Sequence, residues 1–183
     1  MLRKLWPNLI GICSLTALGM LGRLLPHPPN FTPIAAMALF SGFFFRSPML
    51  AAVVPLVALV AGDLVIGAYD PRLMAVVYTS LLVPVVFRSV LQRRLSPMRL
   101  ITCSLASSVI FFTATNVAVW GLGDWYPHTL AGVYSCIVAA IPFLRNTVCG
   151  DLVFSTAIFC TYVAVIRMRA AAQTACGTFA ATA

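Results

Sequence analysis

Acidic residues are scarce in this chain of 183 residues, which has four aspartates and no glutamate against twelve lysines and arginines. Charged residues make up 9% of the chain and hydrophobic residues 61%, and so few charges cannot cover a water-exposed surface. The formal charge of +8 would also fit a nucleic-acid-binding protein. However, the basic residues stand singly or in short groups between long apolar segments, as in membrane proteins. We therefore predict an integral membrane protein that binds the lipid bilayer and no nucleic acid.

Signatures of catalytic and zinc sites are also missing from the sequence. The six cysteines show no CxxC spacing, so neither a disulfide framework nor a zinc site is implied. There is no GxSxG, HExxH or phosphate-binding loop, and the two histidines, His27 and His128, lie about a hundred residues apart. We predict that the protein is not an enzyme and needs no cofactor, while the sequence leaves metal binding open.

Long apolar segments are abundant, and a helix needs roughly 20 apolar residues to cross a bilayer. Five segments meet this requirement: Asn8–Leu25, Pro48–Ala68, Leu73–Leu91, Leu100–Gly121 and Asn146–Ile166. Two shorter ones, Pro33–Phe45 and Thr129–Phe143, could span, re-enter or lie on the surface. We expect Thr32 to cap the first of these, with Pro33 at the first helical position.

The positions of the basic residues predict an orientation. If Pro33–Phe45 crosses, the chain is an all-α bundle of six transmembrane helices with both termini in the cytoplasm. Nine of the twelve cations then lie on the inner side, as the positive-inside rule requires: Arg3, Lys4, Arg46, Arg88, Arg93, Arg94, Arg99, Arg167 and Arg169. A re-entrant segment would reverse every later helix. We expect residues 1–169 to form one domain and residues 170–183 a loosely ordered cytoplasmic tail.

Two aspartates fall inside predicted spans, within the same tetrapeptide Gly-Asp-Leu-Val. They are Asp63 and Asp151, and an ionisable group in a spanning helix costs about 3 kcal/mol, which makes each a candidate functional residue. The simpler interpretations are a structural hydrogen bond for Asp63 and a salt bridge to Arg145 for Asp151. The repeated tetrapeptide is compatible with an internal duplication or with chance.

Other polar and aromatic residues share the outer level of the two aspartates. Several helices that contribute such groups at one level predict a cavity open to the outer face. An interfacial belt of Tyr and Trp is the alternative. The predicted ligand-binding residues are His27, Asn30, Thr32, Asp63, Tyr69, Tyr78, Asn116, Trp120, Tyr126, Arg145, Asn146 and Asp151.

Four segments carry a resemblance to a known family. They are residues 23–42 (RLLPHPPNFTPIAAMALFSG), residues 54–69 with Asp63, residues 115–120 (TNVAVW) with Tyr126-Pro127, and Ile141-Pro142-Phe143 leading to Gly150-Asp151. They resemble an uncharacterised group of bacterial transporter-like membrane proteins that is similar to the substrate-binding S components of energy-coupling factor (ECF) transporters. The resemblance covers most of the chain and implies six helices in the cytoplasmic membrane.

The same resemblance implies capture of a vitamin-type solute from the outer face and docking onto an energising ECF-type module. Ala35, Ala36 and Ala38 could offer a docking surface, or they could simply pack within the chain. Solitary cobalamin-binding S components also look close, so cobalamin is the first candidate substrate. Those proteins bring a cysteine to cobalt from the third loop, and residues 67–72 here contain none. The ligand would then be Cys149, His27 or His128.

We therefore expect a transport component for vitamin uptake that captures a small molecule in an outward-facing cavity. The alternative is an accessory structural subunit of a larger membrane complex, with its polar residues buried in subunit contacts. A membrane enzyme that uses the aspartates on a lipid-linked substrate is a third possibility, for which the sequence offers no nucleophile.

Overall fold

A computed structural model describes the backbone of residues 2–67 and 69–181 and the side chains of residues 13–67 and 69–174. The described chain is all-helical. Its helices are α1 (Leu2–Leu24), α2 (Ile34–Phe44), α3 (Pro48–Ile66), α4 (Pro71–Val86), α5 (Arg88–Arg93), α6 (Pro97–Leu122) and α7 (Leu130–Ala181). Only Phe87 separates α4 from α5, so the two form one nearly continuous helical stretch.

Four helical stretches are long and apolar enough to cross a membrane: Pro48–Ile66, Pro71–Arg93, Pro97–Leu122 and Leu130–Thr174. Two shorter apolar stretches lie at Cys13–Leu24, within α1, and at Ile34–Phe44, which is α2. The predicted class of helical membrane protein agrees with this finding, and the count of six crossings stays a prediction.

Three helices begin in the same way, with a polar cap followed by proline. Proline fits the first turn because its missing N–H has no partner there in any case. The caps of α3, α4 and α6 are Ser47, Asp70 and Ser96, which accept from the amides of Leu50 (3.4 Å), Arg72 (2.7 Å) and Arg99 (3.4 Å).

Helix α2 begins differently, and the predicted cap at Thr32 is wrong. Pro33 occupies the N-cap position, so Thr32 lies one residue too early and no side chain caps the helix. The first amide N–H groups of α2 therefore have no side-chain acceptor and can donate to another group.

Helix α2 is the centre of the bundle. Nine of its eleven residues are buried, and it contacts all six other helices, which explains why its sequence is apolar on every side. The Ser41 hydroxyl is satisfied by the carbonyl of Ala51 at 2.7 Å. Ala35, Ala36 and Ala38 are at most 6% exposed, so they pack inside the chain and offer no docking surface.

Helix α7 joins segments that the sequence separated. Residues 129–143 and 146–166 were expected to be distinct, yet one helix of 52 residues runs through Pro142 from Leu130 to Ala181. A proline removes only one N–H from the helical ladder. Residues 170–181 continue this helix, and residues 182–183 lie outside the described part; the loose order expected of residues 170–183 stays a prediction. At 1.5 Å per residue, α7 is about 78 Å long, more than twice the hydrocarbon thickness of a bilayer.

The bundle has two chemically different ends. At the end that we call the arginine end, Arg88 donates to the carbonyl of Arg46, and Gln92 donates to the carbonyls of Gly42 and Phe43 at 3.0 Å. At the other end, which we call the cavity end, α1, α3 and α6 terminate and α2, α4 and α7 begin. The predicted ligand-binding residues concentrate towards the cavity end.

Candidate functional site

Asp63 belongs to a network that ties three helices together. Its side chain on α3 is 6% exposed, and Arg23 near the end of α1 forms an ion pair with it. The Tyr78 hydroxyl of α4 donates to Asp63 Oδ2 at 2.6 Å. Gly62 makes the approach of Arg23 possible, because a Cβ at this position would lie 2.7 Å from Arg23 Nε. The carboxylate is therefore balanced by a cation and a hydroxyl.

Asp151 has a different environment. It lies midway along α7, is 4% exposed and accepts a hydrogen bond from Ser108 Oγ of α6 at 2.6 Å. The salt bridge to Arg145 is wrong: Arg145 is exposed and, among the residues that the structure describes, only Asp63 and Asp70 form ion pairs. Asp151 is thus a buried carboxylate without a cation in the described chain.

A cavity of about 280 Å³ lies between the two aspartates at the cavity end. Five of the predicted ligand-binding residues line it: His27, Asn30, Thr32, Tyr69 and Asp151. Arg23 and Thr147 complete its polar wall, and the apolar wall consists of Ala35, Ile66, Val77, Leu81 and Phe111. The cavity therefore receives side chains from α1, α2, α3, α4, α6, α7 and two connections.

The connection between α1 and α2 is held firmly over this cavity. Asn30 has φ +63°, a left-handed conformation that asparagine tolerates better than most residues. Asn146 Nδ2 donates to the carbonyl of Pro29 at 3.1 Å, which links the connection to α7. His27 Nδ1 donates to the carbonyl of Leu25 at 2.6 Å. Asn146, a predicted ligand-binding residue, thus positions the wall of the cavity.

The remaining predicted residues divide into two groups. Asp63 and Tyr78 lie in the Arg23 network beside the cavity. Asn116, Trp120, Tyr126 and Arg145 lie outside the cavity wall. The Asn116 amide donates to the carbonyl of Phe112 at 2.7 Å within its own helix, and Trp120 Nε1 donates to the carbonyl of Pro127 at 3.0 Å.

Two ionisable groups in the connection from α3 to α4 have shifted pKa values. Burial, with the nearby charge of Asp63, raises the pKa of the Tyr69 hydroxyl. Tyr69 therefore presents a neutral donor to the cavity. Hydrogen bonds from Arg72 lower the pKa of Asp70, which keeps the cap of α4 ionised.

Comparison with known proteins identifies the family. The model of a family of unknown function, DUF6580, matches residues 3–174. The chain belongs to this family. No curated protein matches the chain, and no solved structure matches it. The matched range includes both aspartates and every residue of the cavity wall, so the site described above lies wholly within the family domain.

Three polar residues of the site were missed in the sequence. Arg23 follows an apolar segment and looks like a flanking cation. Its position just before the connection from α1 to α2 was a signal, because Asp63 was predicted at the same level and needed a cation there. Ser108 and Thr147 carry no charge and resemble ordinary helix residues. Only their spacing gives a signal, because Thr147 lies one helical turn before Asp151 and faces the same side.

Proposed function

We propose that the protein binds a small polar solute in the cavity and serves as a membrane transport component. The observation that carries this proposal is a buried carboxylate, Asp151, that lines a cavity and has no cation in the described chain. Leaving a charge uncompensated costs stability. A role in binding a ligand accounts for this uncompensated charge. Asp63 needs no such explanation, because Arg23 compensates its charge.

The charge of the bundle supports an outward-facing cavity. The arginine end carries Arg46, Arg88, Arg93, Arg94 and Arg99, whereas at the cavity end Arg23 and Arg72 are each paired with an aspartate. Under the positive-inside rule the arginine end faces the cytoplasm. Six crossings with both termini inside agree with this orientation if α1 and α2 cross. Because the short α2 is buried in the protein, it does not need the length of a helix that is exposed to lipid.

The dimensions of the cavity favour a small solute. Ligand pockets commonly measure about 300–1,000 Å³, and this one, at about 280 Å³, lies at the lower limit. A corrinoid exceeds such a volume, so we propose a smaller, vitamin-sized or amine-sized molecule in its place. The uncapped amide groups of α2, together with Asn30, supply donors, and Asp151 supplies an acceptor. The solute should therefore carry both kinds of group.

Native mass spectrometry tests this proposal. The detergent-purified chain is incubated with a panel of vitamins, amino acids and polyamines, and one of them should stay bound. Asp151→Asn should lose that adduct, whereas Asp70→Asn, which changes a partly exposed aspartate outside the cavity wall, should retain it. A folded protein that binds no member of the panel, with cellular uptake unaffected by Asp151→Asn, would contradict the proposal.

Another surface favours a second function. The protein would then be a subunit of a larger membrane complex or the partner of an energising module. A groove of about 840 Å³ lies between the start of α6 and the second half of α7, and Leu100, Ile101, Val163 and Met168 are among its apolar residues. A partner helix could occupy it. Extraction in a mild detergent followed by co-purification distinguishes this function, since a stoichiometric protein partner would be retained.

A further inference from the structure

A row of buried polar side chains runs between α6 and α7 below the cavity. Ser104 and Ser108 lie one turn apart on α6, and Asp151 and Ser155 lie one turn apart on α7. Ser104, Ser108 and Ser155 are at most 1% exposed and Asp151 is 4% exposed. Four oxygen-bearing side chains are thus enclosed within one helix interface.

One contact and the helix direction place these side chains on one side of the interface. The contact from Ser108 Oγ to Asp151 Oδ2 sets one pair, at 2.6 Å. The helices are antiparallel, because Asn116 near the end of α6 contacts Cys136 near the start of α7. Moving back along α6 therefore corresponds to moving forward along α7. Ser104 and Ser155 each lie one turn from the Ser108–Asp151 contact, on the same faces of their helices as the two contacting residues.

Ser104 and Ser155 also have an unused hydrogen-bonding capacity. Neither hydroxyl has a hydrogen-bond partner in the described chain, and each oxygen is shielded from solvent. Buried hydroxyls are normally satisfied, so two unsatisfied ones that each lie one turn from the Ser108–Asp151 contact need an explanation. By contrast, the neighbouring Ser107 donates to the carbonyl of Cys103 at 2.7 Å in the ordinary way. Both unsatisfied serines lie one turn along their helices from the contact of Asp151, the buried carboxylate that has no cation among the described residues.

These groups have the chemistry of a site for a small monovalent cation. Carboxylate and hydroxyl oxygens are hard ligands, which favour alkali and alkaline-earth ions over zinc or copper. The described residues contain no group of three His, Cys, Asp or Glu side chains that could hold a more highly charged metal. A single carboxylate is balanced by one positive charge. Coupling-ion sites in transporters are likewise buried near the substrate site.

We propose that Asp151, Ser108, Ser104 and Ser155 bind Na⁺ between α6 and α7. Asp151 also lines the cavity, so the ion would neutralise the carboxylate that faces the solute. Occupancy of the two sites would then be energetically linked. The Na⁺ site itself does not depend on the solute proposal, because it is measured on solute-free protein.

Thermal unfolding of the purified full chain tests the site. A ligand that binds only the folded state raises the unfolding midpoint with concentration. At constant ionic strength and pH, replacing choline chloride by NaCl should raise the midpoint and saturate, while KCl should do less. Binding of ²²Na⁺ gives the stoichiometry, expected to be one per chain. Equal responses to Na⁺, K⁺ and choline, or a response to pH alone, would overturn the proposal.

Variants locate the ion. Ser155→Ala removes one oxygen with little change in volume and should fold, while weakening Na⁺ binding by roughly tenfold or more. Asp151→Asn should abolish it. Ser107→Ala, one position from Ser108 and already satisfied within α6, should leave Na⁺ binding unchanged. If Ser155→Ala binds Na⁺ as tightly as the parent, the assignment is wrong, whether or not a solute is ever found.

Discussion

The two buried aspartates share the tetrapeptide Gly-Asp-Leu-Val and nearly equal burial, yet their surroundings are opposite. Asp63 faces a guanidinium and a tyrosine hydroxyl. Asp151 faces a single serine hydroxyl and the cavity. The same four residues therefore lie in two environments, which differ in the partner that the neighbouring helix supplies. A paired carboxylate holds helices together, whereas an unpaired one is available to a ligand.

The largest expected effect comes from breaking the pair at Asp63. Arg23→Gln removes the cation and leaves a buried carboxylate, which should lower the free energy of unfolding by about 3–5 kcal/mol. Unfolding in a denaturing detergent titration measures this loss. The double variant Arg23→Gln with Asp63→Asn should recover part of it. A loss below about 1 kcal/mol for Arg23→Gln would show that the pair contributes no more than an exposed salt bridge.

A smaller loss is expected when the second partner of Asp63 is removed. Tyr78→Phe deletes the hydroxyl that donates to Asp63 Oδ2 and keeps the ring. Hydrogen bonds to charged groups contribute about 1.5–3 kcal/mol, which is the predicted decrease in the free energy of unfolding. The same titration measures it. In the Asp63→Asn background the effect of Tyr78→Phe should shrink, and an unchanged effect would show that the hydroxyl acts elsewhere.

Asp70 is a partly exposed aspartate that serves as a reference for the two buried ones. Its pKa is lowered from the ordinary value of 3.8 by hydrogen bonds from Arg72, so its contribution to stability is present above that ordinary value. The contribution is lost as the pH falls through the lowered pKa. Asp70→Ala should therefore be slightly less stable than the parent at neutral pH. The difference should close in acid, and a constant difference across pH would contradict a charge-dependent cap.

The smallest loss of stability is expected at Asp151. Asp151→Asn removes an uncompensated charge, while the Ser108 hydroxyl can still donate to the amide oxygen. The free energy of unfolding, measured without added sodium, should stay equal or rise. A loss as large as that of Arg23→Gln would mean that Asp151 is a structural residue after all, and the contrast between the two aspartates would disappear.

Much of the helical framework could be predicted because hydropathy reports segments of membrane length. The continuity of α7 could not, since Pro142 interrupts the apolar pattern without ending the helix. Hydropathy also gives the depth of a residue and not the direction in which it points. Asn30, Asp151 and Asn116 were predicted to share one level; the first two line the cavity, whereas Asn116 bonds within its own helix. Arg23 was missed because its pairing with Asp63 depends on how α1 packs on α3.

The most direct test of the division between the two aspartates measures ligand binding per folded molecule in Asp63→Asn and Asp151→Asn, prepared side by side. Native mass spectrometry counts bound solute and Na⁺, and an unfolding titration gives the folded fraction. We predict that Asp63→Asn is less stable but that its folded molecules still bind, whereas Asp151→Asn is stable and binds neither. Normal binding by folded Asp151→Asn would contradict the account.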